Sequence, residues 1–547
     1  MSRPRLITTA VVLLLAVAGL LLLPSTASKL GSGGMTADSA ESVRAEKLLK
    51  EQFSSANPDV VLVLTPSKGN AAAAQELVTK VSAMPHVKAV HSAFTDMPVD
   101  ELKSGDTGLA FVIAEPGSTP AELLAVADDA RAAGRKLGVQ VNASGDGVID
   151  GSIDKIAESS LVRAELIAAP LVGLILLVVF GSVWAALMPI VAGGASVAIT
   201  MLALNILVRF TDVSTFALNL ASAIGFGLAV DYSLFIIARW REGRMLGMTA
   251  EEARSLTVRT SGRTIVFSGV TVVIAMAALL IFPGYFLKSL AYAGIITVTT
   301  VMIVTVLVVP WMLVALDKRA VHRYGWSRWA GVEHDPAVND VKPAPGRGRV
   351  WISAILITGV LAVVALPFLN ANFILRDYRE LPADDIARVG TEQVTQKFPG
   401  LSQNSVNIAF PKTPATAELS ATADKLAKID DVTVVLWGGG ATVAHDTNGA
   451  PIAPVTAPPT AFDRAVFDSS PGHTWIRVNL SVDPESPEAA TVVDRVRAEV
   501  APIGGIVGGQ TATLVDSTHD INKYLPYAIA AIVVVTAVLL FPLISNN

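Results

Sequence analysis

The sequence predicts a polytopic α-helical membrane protein that carries two extracytoplasmic α+β domains. Three observations support this fold class. Fifty-two per cent of the 547 residues are hydrophobic and only 16% are charged. Apolar runs long enough to cross a bilayer recur along the chain. Two long polar segments interrupt these runs, so the chain is expected to be an integral membrane protein with sizeable domains outside the bilayer.

Composition excludes several other classes of function. The chain contains no cysteine, so it has neither disulfides nor a thiolate metal site. Its seven histidines show no clustered ligand spacing. The net charge of −5 is spread along the chain and forms no basic stripe. We therefore expect no metal, no cofactor and no nucleic-acid partner.

The alternation of apolar and polar segments predicts seven consecutive parts. These are transmembrane helix 1 (1–23), extracytoplasmic domain 1 (24–160), transmembrane helices 2–6 (161–316), a cytoplasmic loop (317–349), transmembrane helix 7 (350–369), extracytoplasmic domain 2 (370–523) and transmembrane helix 8 (524–547). The first apolar run, Leu6–Leu23, also fits a cleaved signal peptide, with Ser25–Ala27 as a small-residue cleavage site.

Both polar segments read as βαββαβ, the ferredoxin-like pattern. In the first, strands are predicted at Asp59–Thr65, Val87–Ala93, Gly108–Ala114 and Val139–Ala143, with helices at Ala71–Ala83 and Pro120–Leu137. In the second, strands are predicted at Val406–Phe410, Val432–Leu436, Thr474–Val482 and Ile503–Val507, with helices at 415–428 and 487–499. An additional segment, Gly438–Pro471, is rich in Gly, Pro and Thr and predicts a mobile loop.

The second polar segment begins like the first, which indicates an internal repeat. Met35–Asp38 precedes a helix that ends at Phe53, and Leu381–Asp384 precedes one that ends at Phe398. Acids four residues apart precede each return to the membrane: Asp150 and Asp154, then Asp516 and Asp520. The repeat stops after one helix of the second membrane half, so the second half is expected to be incomplete.

Charge predicts the orientation of the chain in the membrane. Basic residues concentrate in two loops: Arg239, Arg241, Arg244, Arg254, Arg259 and Arg263, then Lys318, Arg319, Arg323, Arg328, Lys342, Arg347 and Arg349. The short loops on the other side contain only Arg209 and Lys288. By the positive-inside rule, the N-terminus and both basic loops are cytoplasmic and the two large domains are extracytoplasmic.

The apolar run Leu220–Ala238 contains a carboxylic acid, Asp231. Such an acid at the centre of a membrane helix costs roughly 2.5–3.5 kcal/mol and is usually turned inward and functional. Arg239, the next charged residue, lies roughly 12 Å further along a helix, too far for an Asp side chain to reach water. Asp231 therefore needs a protein partner, a water-filled path or a proton.

Small and polar residues surround this acid. Ala221, Gly225 and Ala229 recur every four positions and predict a stripe where another helix packs closely. Gly227 leaves space beside the carboxyl group, and Tyr232 supplies a hydroxyl that can donate or accept a proton. In the next apolar helix, Ser268 and Thr271 are candidates for support of a proton relay. Alternatively, Asp231 only hydrogen-bonds a neighbouring helix, and the two hydroxyls bond back to their own helix.

The run Gly225–Tyr232, with Phe235 and the basic tail Arg239–Gly243, resembles the Asp-Tyr signature on the fourth helix of the MMPL (mycobacterial membrane protein large) transporters. These proteins and their actinobacterial relatives belong to the RND superfamily. The resemblance implies that Asp231 and Tyr232 form a proton relay that drives export of lipids or other hydrophobic molecules across the inner membrane. It also implies that the polar domains are porter-type domains and that the first helix stays uncleaved.

Members of that family carry four further helices, one of which bears a second acidic-aromatic pair facing the first. The resemblance therefore predicts that this chain is truncated before those helices, and a separate chain is one candidate source of them. The missing helices leave a non-transporting scaffold or sensor as one alternative to a transporter. Another is an intramembrane aspartyl protease, but that chemistry needs two embedded carboxylates and only Asp231 qualifies.

Overall fold

The computed structural model describes residues 3–27, 30–31, 34–53, 58–95, 102–317, 319, 378–398, 404–445, 451–460, 472–484 and 486–545, with isolated positions at 355–366 and 463–470. The predicted cytoplasmic loop 317–349 lies outside these residues apart from positions 317 and 319. The predicted helix 350–369 lies outside them apart from isolated positions.

The described residues form the following helices and strands. The helices are α1 Arg3–Ala27, α2 Glu41–Gln52, α3 Ala71–Val81, α4 Pro120–Leu137, α5 Asp146–Phe180, α6 Val183–Leu207, α7 Phe216–Met245, α8 Ala250–Ala277, α9 Tyr285–Ala315, α10 Ile386–Lys397, α11 Thr416–Leu426, α12 Pro487–Val500 and α13 Gln510–Ser545. The strands are β1 Val60–Pro66, β2 Val87–Ser92, β3 Lys103–Ser104, β4 Thr107–Ala114, β5 Val139–Ser144, β6 Ser405–Ala409, β7 Val432–Trp437, β8 Gly440–His445, β9 Pro451–Ala457, β10 Trp475–Leu480 and β11 Ile506–Gly508.

Among the described residues, six helices are long and apolar enough to cross a membrane: α5 to α9 and α13. Helix α1 contains a shorter apolar stretch, Ala10–Leu22. The prediction of a polytopic helical membrane protein is therefore confirmed. Helix α1 packs against α6 so closely that a Cβ on Gly19 would lie 1.7 Å from the carbonyl oxygen of Ala198.

Short sequence signals set several helix ends. Helix α8 begins with a capping box, in which Thr249 N donates to Glu252 Oε2 (2.8 Å) and Glu252 N donates to Thr249 Oγ1 (3.3 Å). Thr119 and Glu122 form the same arrangement at the start of α4. Helix α5 ends at Gly181, which adopts the left-handed conformation (φ 62°) that glycine accepts without strain.

Domain 1 is built on a sheet with strand order β2-β4-β1-β5, in which neighbouring strands are antiparallel and the short β3 pairs with β4. Helices α3 and α4 bury their apolar faces together with Leu62, Leu64 and Val141 of the sheet. The first turns of α5 join this core through Val148 and Ile153 before the helix continues into its apolar half. A continuous helix therefore connects domain 1 to the membrane.

Domain 2 contains a sheet with strand order β11-β6-β10-β7-β8-β9. The predicted loop Gly438–Pro471 is wrong for much of its length, because β8 and β9 form an antiparallel hairpin there. The cross-strand pairs Thr442–Thr456 and Val443–Val455 stabilise it, and the two threonine hydroxyls lie 3.2 Å apart. The signal for strands was the β-branched pairs Thr442–Val443 and Val455–Thr456, which the abundance of Gly and Pro obscured.

The first α-helix within each domain packs against the sheet of the other domain. Helix α10, which precedes the strands of domain 2, lies on β5 of domain 1, where Ser144 Oγ and Thr391 Oγ1 are 2.9 Å apart and Asn142 Nδ2 donates to Gln393 Oε1 (3.2 Å). The approach is so close that a Cβ on Gly390 would lie 1.9 Å from the carbonyl oxygen of Ala143. Only glycine fits at this position without a shift of the backbone.

Helix α2, which precedes the strands of domain 1, lies on β11 of domain 2 in the reciprocal arrangement. Val507 N donates to Glu41 Oε1 (2.8 Å), and Arg497 lies 3.4 Å from Glu41 and 2.7 Å from Asp516. Asp516 also accepts from Ser42 N (3.1 Å). The carboxylates near the start of α13 therefore connect domain 2 to the segment that follows α1.

Candidate functional site

Helix α7 contains the predicted relay residues and packs against α6, α8 and α9. The structure places the predicted small residues Ala221, Gly225 and Ala229 on its buried face. A Cβ on Gly225 would lie 2.7 Å from Val197 Cγ2 of α6 and 3.3 Å from Thr297 Cγ2 of α9. This stripe fixes the rotation of α7 about its own axis.

Asp231 lies on the opposite side of α7, among exposed residues. The expectation that it faces the interior of the bundle is not met by the described helices. The reason is helical periodicity: Asp231 follows the buried Ala229 by two residues, and each residue turns an α-helix by about 100°. Gly227 and Phe235 share this uncovered face, with Phe235 55% exposed.

Tyr232, one residue further on, returns to the interior and is only 3% exposed. Its side chain lies beside Ser268 of α8 and Asp231. Its hydroxyl makes no hydrogen bond of good geometry with any described residue. The Asp-Tyr pair therefore spans the boundary between the uncovered face of α7 and the core of the bundle.

The remaining predicted site residues divide between these two environments. Gly227 is exposed, and a Cβ there would meet no described atom within 4 Å, so it leaves open space one turn before Asp231. Ser268 is exposed on α8. Thr271 is half-buried, and its hydroxyl donates to the carbonyl oxygen of Phe267 in its own helix (3.0 Å). Thr271 therefore satisfies its hydroxyl locally.

Sequence reasoning missed three buried hydroxyls in α7 and in α9, which packs against it: those of Ser233, Thr297 and Thr305. All three side chains are fully buried, and their hydroxyls make no hydrogen bond with a described residue. The available signal was the spacing of Thr297 and Thr305, which places both on one face of a membrane helix.

A cavity of about 980 Å³ lies outside the membrane, lined by both domains and by the segment around Gly34 and Met35. Seven carboxylates and two lysines contribute to its lining: Asp38, Glu46, Glu51, Asp59, Glu115, Asp146, Asp150, Lys50 and Lys88. Tyr285, at the start of α9, and Tyr378 also line it. The cavity thus extends from the interface of the two domains to the ends of the membrane helices that face these domains.

Asp146 lies in the wall of this cavity, surrounded by protein but accessible to water in the cavity, and other carboxylates lie nearby. It is in the first turn of α5, within the domain 1 end of that helix and outside its membrane-spanning half. Burial, reinforced by Glu46 and Asp150, raises the pKa of Asp146 to about 6, and Lys50 partly opposes this effect. Burial also lowers the pKa of Arg477, on β10 of domain 2, to about 10, with Asp146 opposing it.

Asp146→Asn is expected to change the pH dependence of stability. The folded protein holds the Asp146 proton more tightly than the unfolded chain, so this stabilisation is complete below pH 3.8 and is lost as the pH rises through about 6. At pH 7.5 the free energy of unfolding of the variant should exceed that of the parent by about 1 kcal/mol. This is less than the full pKa shift would give, because water in the cavity screens the carboxylate. The difference should shrink toward pH 4.

Thermal unfolding in detergent between pH 4 and 8 measures this effect. Asp430→Asn, the same substitution at an exposed carboxylate of domain 2, serves as the control and should leave the pH profile of the parent intact. An Asp146→Asn curve parallel to the parent curve over the whole range would show that the Asp146 carboxyl does not titrate there.

Comparisons with known proteins identify the family. The model of the MMPL family matches residues 34–338. A membrane protein of Streptomyces coelicolor is 31% identical over 73% of this chain and 51% of its own length. The trehalose monomycolate exporter MmpL3 of Mycolicibacterium smegmatis is 30% identical over 69% of this chain and 39% of its own length. The mycolic acid-containing lipids exporter MmpL11 of the same organism is 26% identical over 96% of this chain and 55% of its own length.

The chain spans about half the length of these curated relatives or less. Among solved structures, a heavy metal efflux pump is 15% identical over 86% of this chain and 51% of its own, with a TM-score of 0.36, which is too low to establish a common fold. The family model covers more than half of the chain, including both members of the Asp-Tyr pair and the membrane helices around it. The chain belongs to the MMPL family.

Proposed function

We propose that this protein exports a lipid or another hydrophobic molecule across the plasma membrane and is driven by the proton gradient. The observation that carries the proposal is the pair Asp231–Tyr232, placed within a membrane helix below a large cavity between two domains. Relatives named as exporters of trehalose monomycolate and of mycolic acid-containing lipids support a lipid substrate.

In the proposed relay, Asp231 binds and releases a proton. A carboxylate within the membrane is costly when charged, so its protonation changes which arrangement of the helices is favoured. Tyr232 lies beside it with a hydroxyl that can accept or donate a hydrogen bond, and Ser268 is the nearest polar neighbour on α8. The membrane potential adds about 2.3 kcal/mol per charge per 100 mV to such a switch.

The uncovered face of α7 is part of this proposal. Asp231, Gly227 and Phe235 would expose a carboxylate to lipid if nothing lay against them. We therefore propose that a further helix covers this face, and a separate chain is one candidate source of it. The open space beside Gly227 lets this helix approach the carboxyl group closely.

The two soluble domains form the proposed substrate path on the extracytoplasmic side. The positive-inside rule supports this orientation, with the N-terminus in the cytoplasm. In domain 1, the antiparallel order β2-β4-β1-β5 with α3 and α4 on one face supports a ferredoxin-like, porter-type domain. Strands β11-β6-β10-β7 of domain 2 have the corresponding order, which supports an internal repeat. Substrate would enter the cavity near Tyr285, at the outer ends of the membrane helices.

The relay and the cavity are connected through α5 and α13. Each helix starts in the extracytoplasmic region and continues into the membrane. Asp146 in the first turn of α5 lines the cavity, and Asp516 near the start of α13 is bonded to α2. A change in helix packing around Asp231 would therefore move groups on the cavity wall.

A lipid-release assay tests the proposal. Spheroplasts of cells that express the protein are labelled with radioactive acetate, and lipids that reach the external medium are extracted and identified by mass spectrometry. We expect at least one lipid class to be released only when the protein is present, and a protonophore to stop its release. Equal release with and without the protein would favour a non-transporting scaffold. Release that the protonophore does not affect would refute proton coupling.

A further inference from the structure

Helices α7 and α8 carry six arginines between them, all toward the membrane end that is remote from the two domains. Four of the six are bonded within the protein. Their partners are Glu242 for Arg239 (2.6 Å), the carbonyl oxygen of Phe180 for Arg241 (2.7 Å), Asp317 for Arg244 (2.8 Å) and Glu251 for Arg254 (2.9 Å). The other two, Arg259 and Arg263 of α8, make no ion pair or hydrogen bond with a residue that the structure describes.

Arg259 and Arg263 share one exposed face of α8. They are four residues apart, so one lies above the other on the helix, and both are exposed. Like charges at this spacing repel each other. The same face continues into the apolar part of α8 with Val266 (42% exposed) and Val270 (38% exposed). The face therefore combines two cations with an apolar strip, a pattern typical of contact with lipid headgroups and acyl chains.

A hydrogen bond between α7 and α8 fixes the depth of the two arginines in the membrane. Ser261 Oγ donates to the carbonyl oxygen of Phe235 (3.3 Å), four residues before the apolar run of α7 ends at Arg239. The two helices are antiparallel because their connection is short. Arg259 therefore lies between the levels of Phe235 and Arg239, and Arg263 lies roughly 6 Å deeper, about one helix turn. A cation at that depth is costly without a counter-charge.

The direction of α8 allows both guanidinium groups to reach the same level. Side chains of an α-helix lean toward its N-terminus, and the N-terminal end of α8 is the end at this membrane surface. The long side chain of Arg263 can therefore extend along the helix toward Arg259, as basic side chains do near the ends of membrane helices. Two guanidinium groups then lie where the phosphates of the leaflet begin.

We propose that Arg259 and Arg263 together bind the phosphate of one anionic phospholipid, in the leaflet remote from the two domains. A guanidinium group donates two parallel hydrogen bonds to phosphate oxygens, so two of them can hold one phosphate from both sides. The phosphate supplies the missing counter-charge and removes the repulsion between the two cations. Val266 and Val270 contact the acyl chains. An anionic lipid is favoured over a zwitterionic one, whose headgroup would bring a further cation to the site.

Fluorescence quenching by brominated lipids tests this site locally. The chain contains no cysteine, so Val270→Cys creates a single attachment point for a bimane fluorophore, on the same face and about two turns deeper than Arg263. The labelled protein is reconstituted in phosphatidylcholine bilayers that contain increasing amounts of brominated phosphatidylglycerol or brominated phosphatidylcholine. We expect half-maximal quenching at a mole fraction about fivefold lower for the brominated phosphatidylglycerol, the factor that one basic residue gains near anionic lipid.

The double variant Arg259→Gln with Arg263→Gln, in the same labelled background, should be quenched equally by the two lipids. Arg263→Gln alone removes the deeper charge, which can only ease insertion of α8, and should lower the preference by about half or more if both arginines hold one phosphate. Arg135→Gln is the matched control, because it makes the same change at an exposed arginine of domain 1, and should keep the full preference.

Equal quenching of the parent by the two lipids would overturn the site, and is the result expected if acids outside the described residues neutralise both arginines. A preference that persists in the double variant would overturn it as well, because other basic groups would then attract the lipid. The measurement does not involve transport, so the lipid site can fail while the export function stands, and the reverse.

Discussion

Asp231→Asn is expected to reduce proton-driven lipid release by about 100-fold or more, the usual contribution of a positioned proton-transfer group. Asn closely matches Asp in shape but has no proton to exchange, so the variant should fold and insert normally. Because Asn is also uncharged, it should hold the helices in the arrangement that the protonated acid favours. The spheroplast assay described above measures the effect, with the amount of protein in the membrane determined in parallel.

Asp212→Asn is the matched control. Asp212 lies in the connection between α6 and α7. The variant Asp212→Asn therefore makes the same chemical change outside the apolar part of α7. This variant should release lipid at the parental rate. If Asp231→Asn also did so, Asp231 would have no part in coupling, and its position on the uncovered face would reflect contact with another helix only.

Gly390→Ala is expected to destabilise the protein by about 3 kcal/mol, at the upper end of the usual cost of overpacking. The new Cβ would lie 1.9 Å from the carbonyl oxygen of Ala143, and a backbone atom cannot move aside as a flexible side chain can. Either α10 lifts from β5 or the strand shifts, and the hydrogen bond between Asn142 and Gln393 is lost. A lower midpoint of thermal unfolding in detergent would measure the loss.

Gly194→Ala controls for the change in helix propensity. Gly194 is also inside a helix, but a Cβ there would meet no atom of the described residues within 4 Å. Because Ala favours helix over Gly by about 1 kcal/mol, this variant should be as stable as the parent or slightly more so. If Gly390→Ala behaved in the same way, the contact between α10 and domain 1 would be looser than described.

Local patterns in the sequence predicted most of the elements. Helix α4 has the predicted bounds because Pro120 starts it and Gly138 ends it in the left-handed conformation. The strands and helices of both domains differ from the predicted bounds by only a few residues. The hairpin β8–β9 was missed because Gly and Pro outweighed the few β-branched residues of its strands, such as Thr442, Val443 and Val455. The bounds of helices and strands depend on residues that are close in sequence, so one sequence is enough to predict them.

The sequence identified which residues of α7 form the candidate site, but it predicted their arrangement in space less well. The small-residue stripe Ala221, Gly225 and Ala229 identified the buried face of α7, and the same periodicity places Asp231 on the other side. The exchange of α2 and α10 between the domains could not be predicted. Amphipathic helices such as these show that one face is buried, but the partner depends on contacts between residues hundreds of positions apart, such as Ser42 with Asp516.

This exchange determines the order in which the protein can fold during synthesis. Strand β5 leaves the ribosome long before residues 386–397, so the edge of the first sheet stays bare until α10 arrives. In the same way, α2 cannot pack on its partner until β11, near the end of domain 2, has been synthesised. Neither domain can complete its own structure first, and such non-local pairing is slow. The exposed strand edges and apolar surfaces then invite aggregation, so the nascent chain should depend on chaperones until residue 508 has emerged.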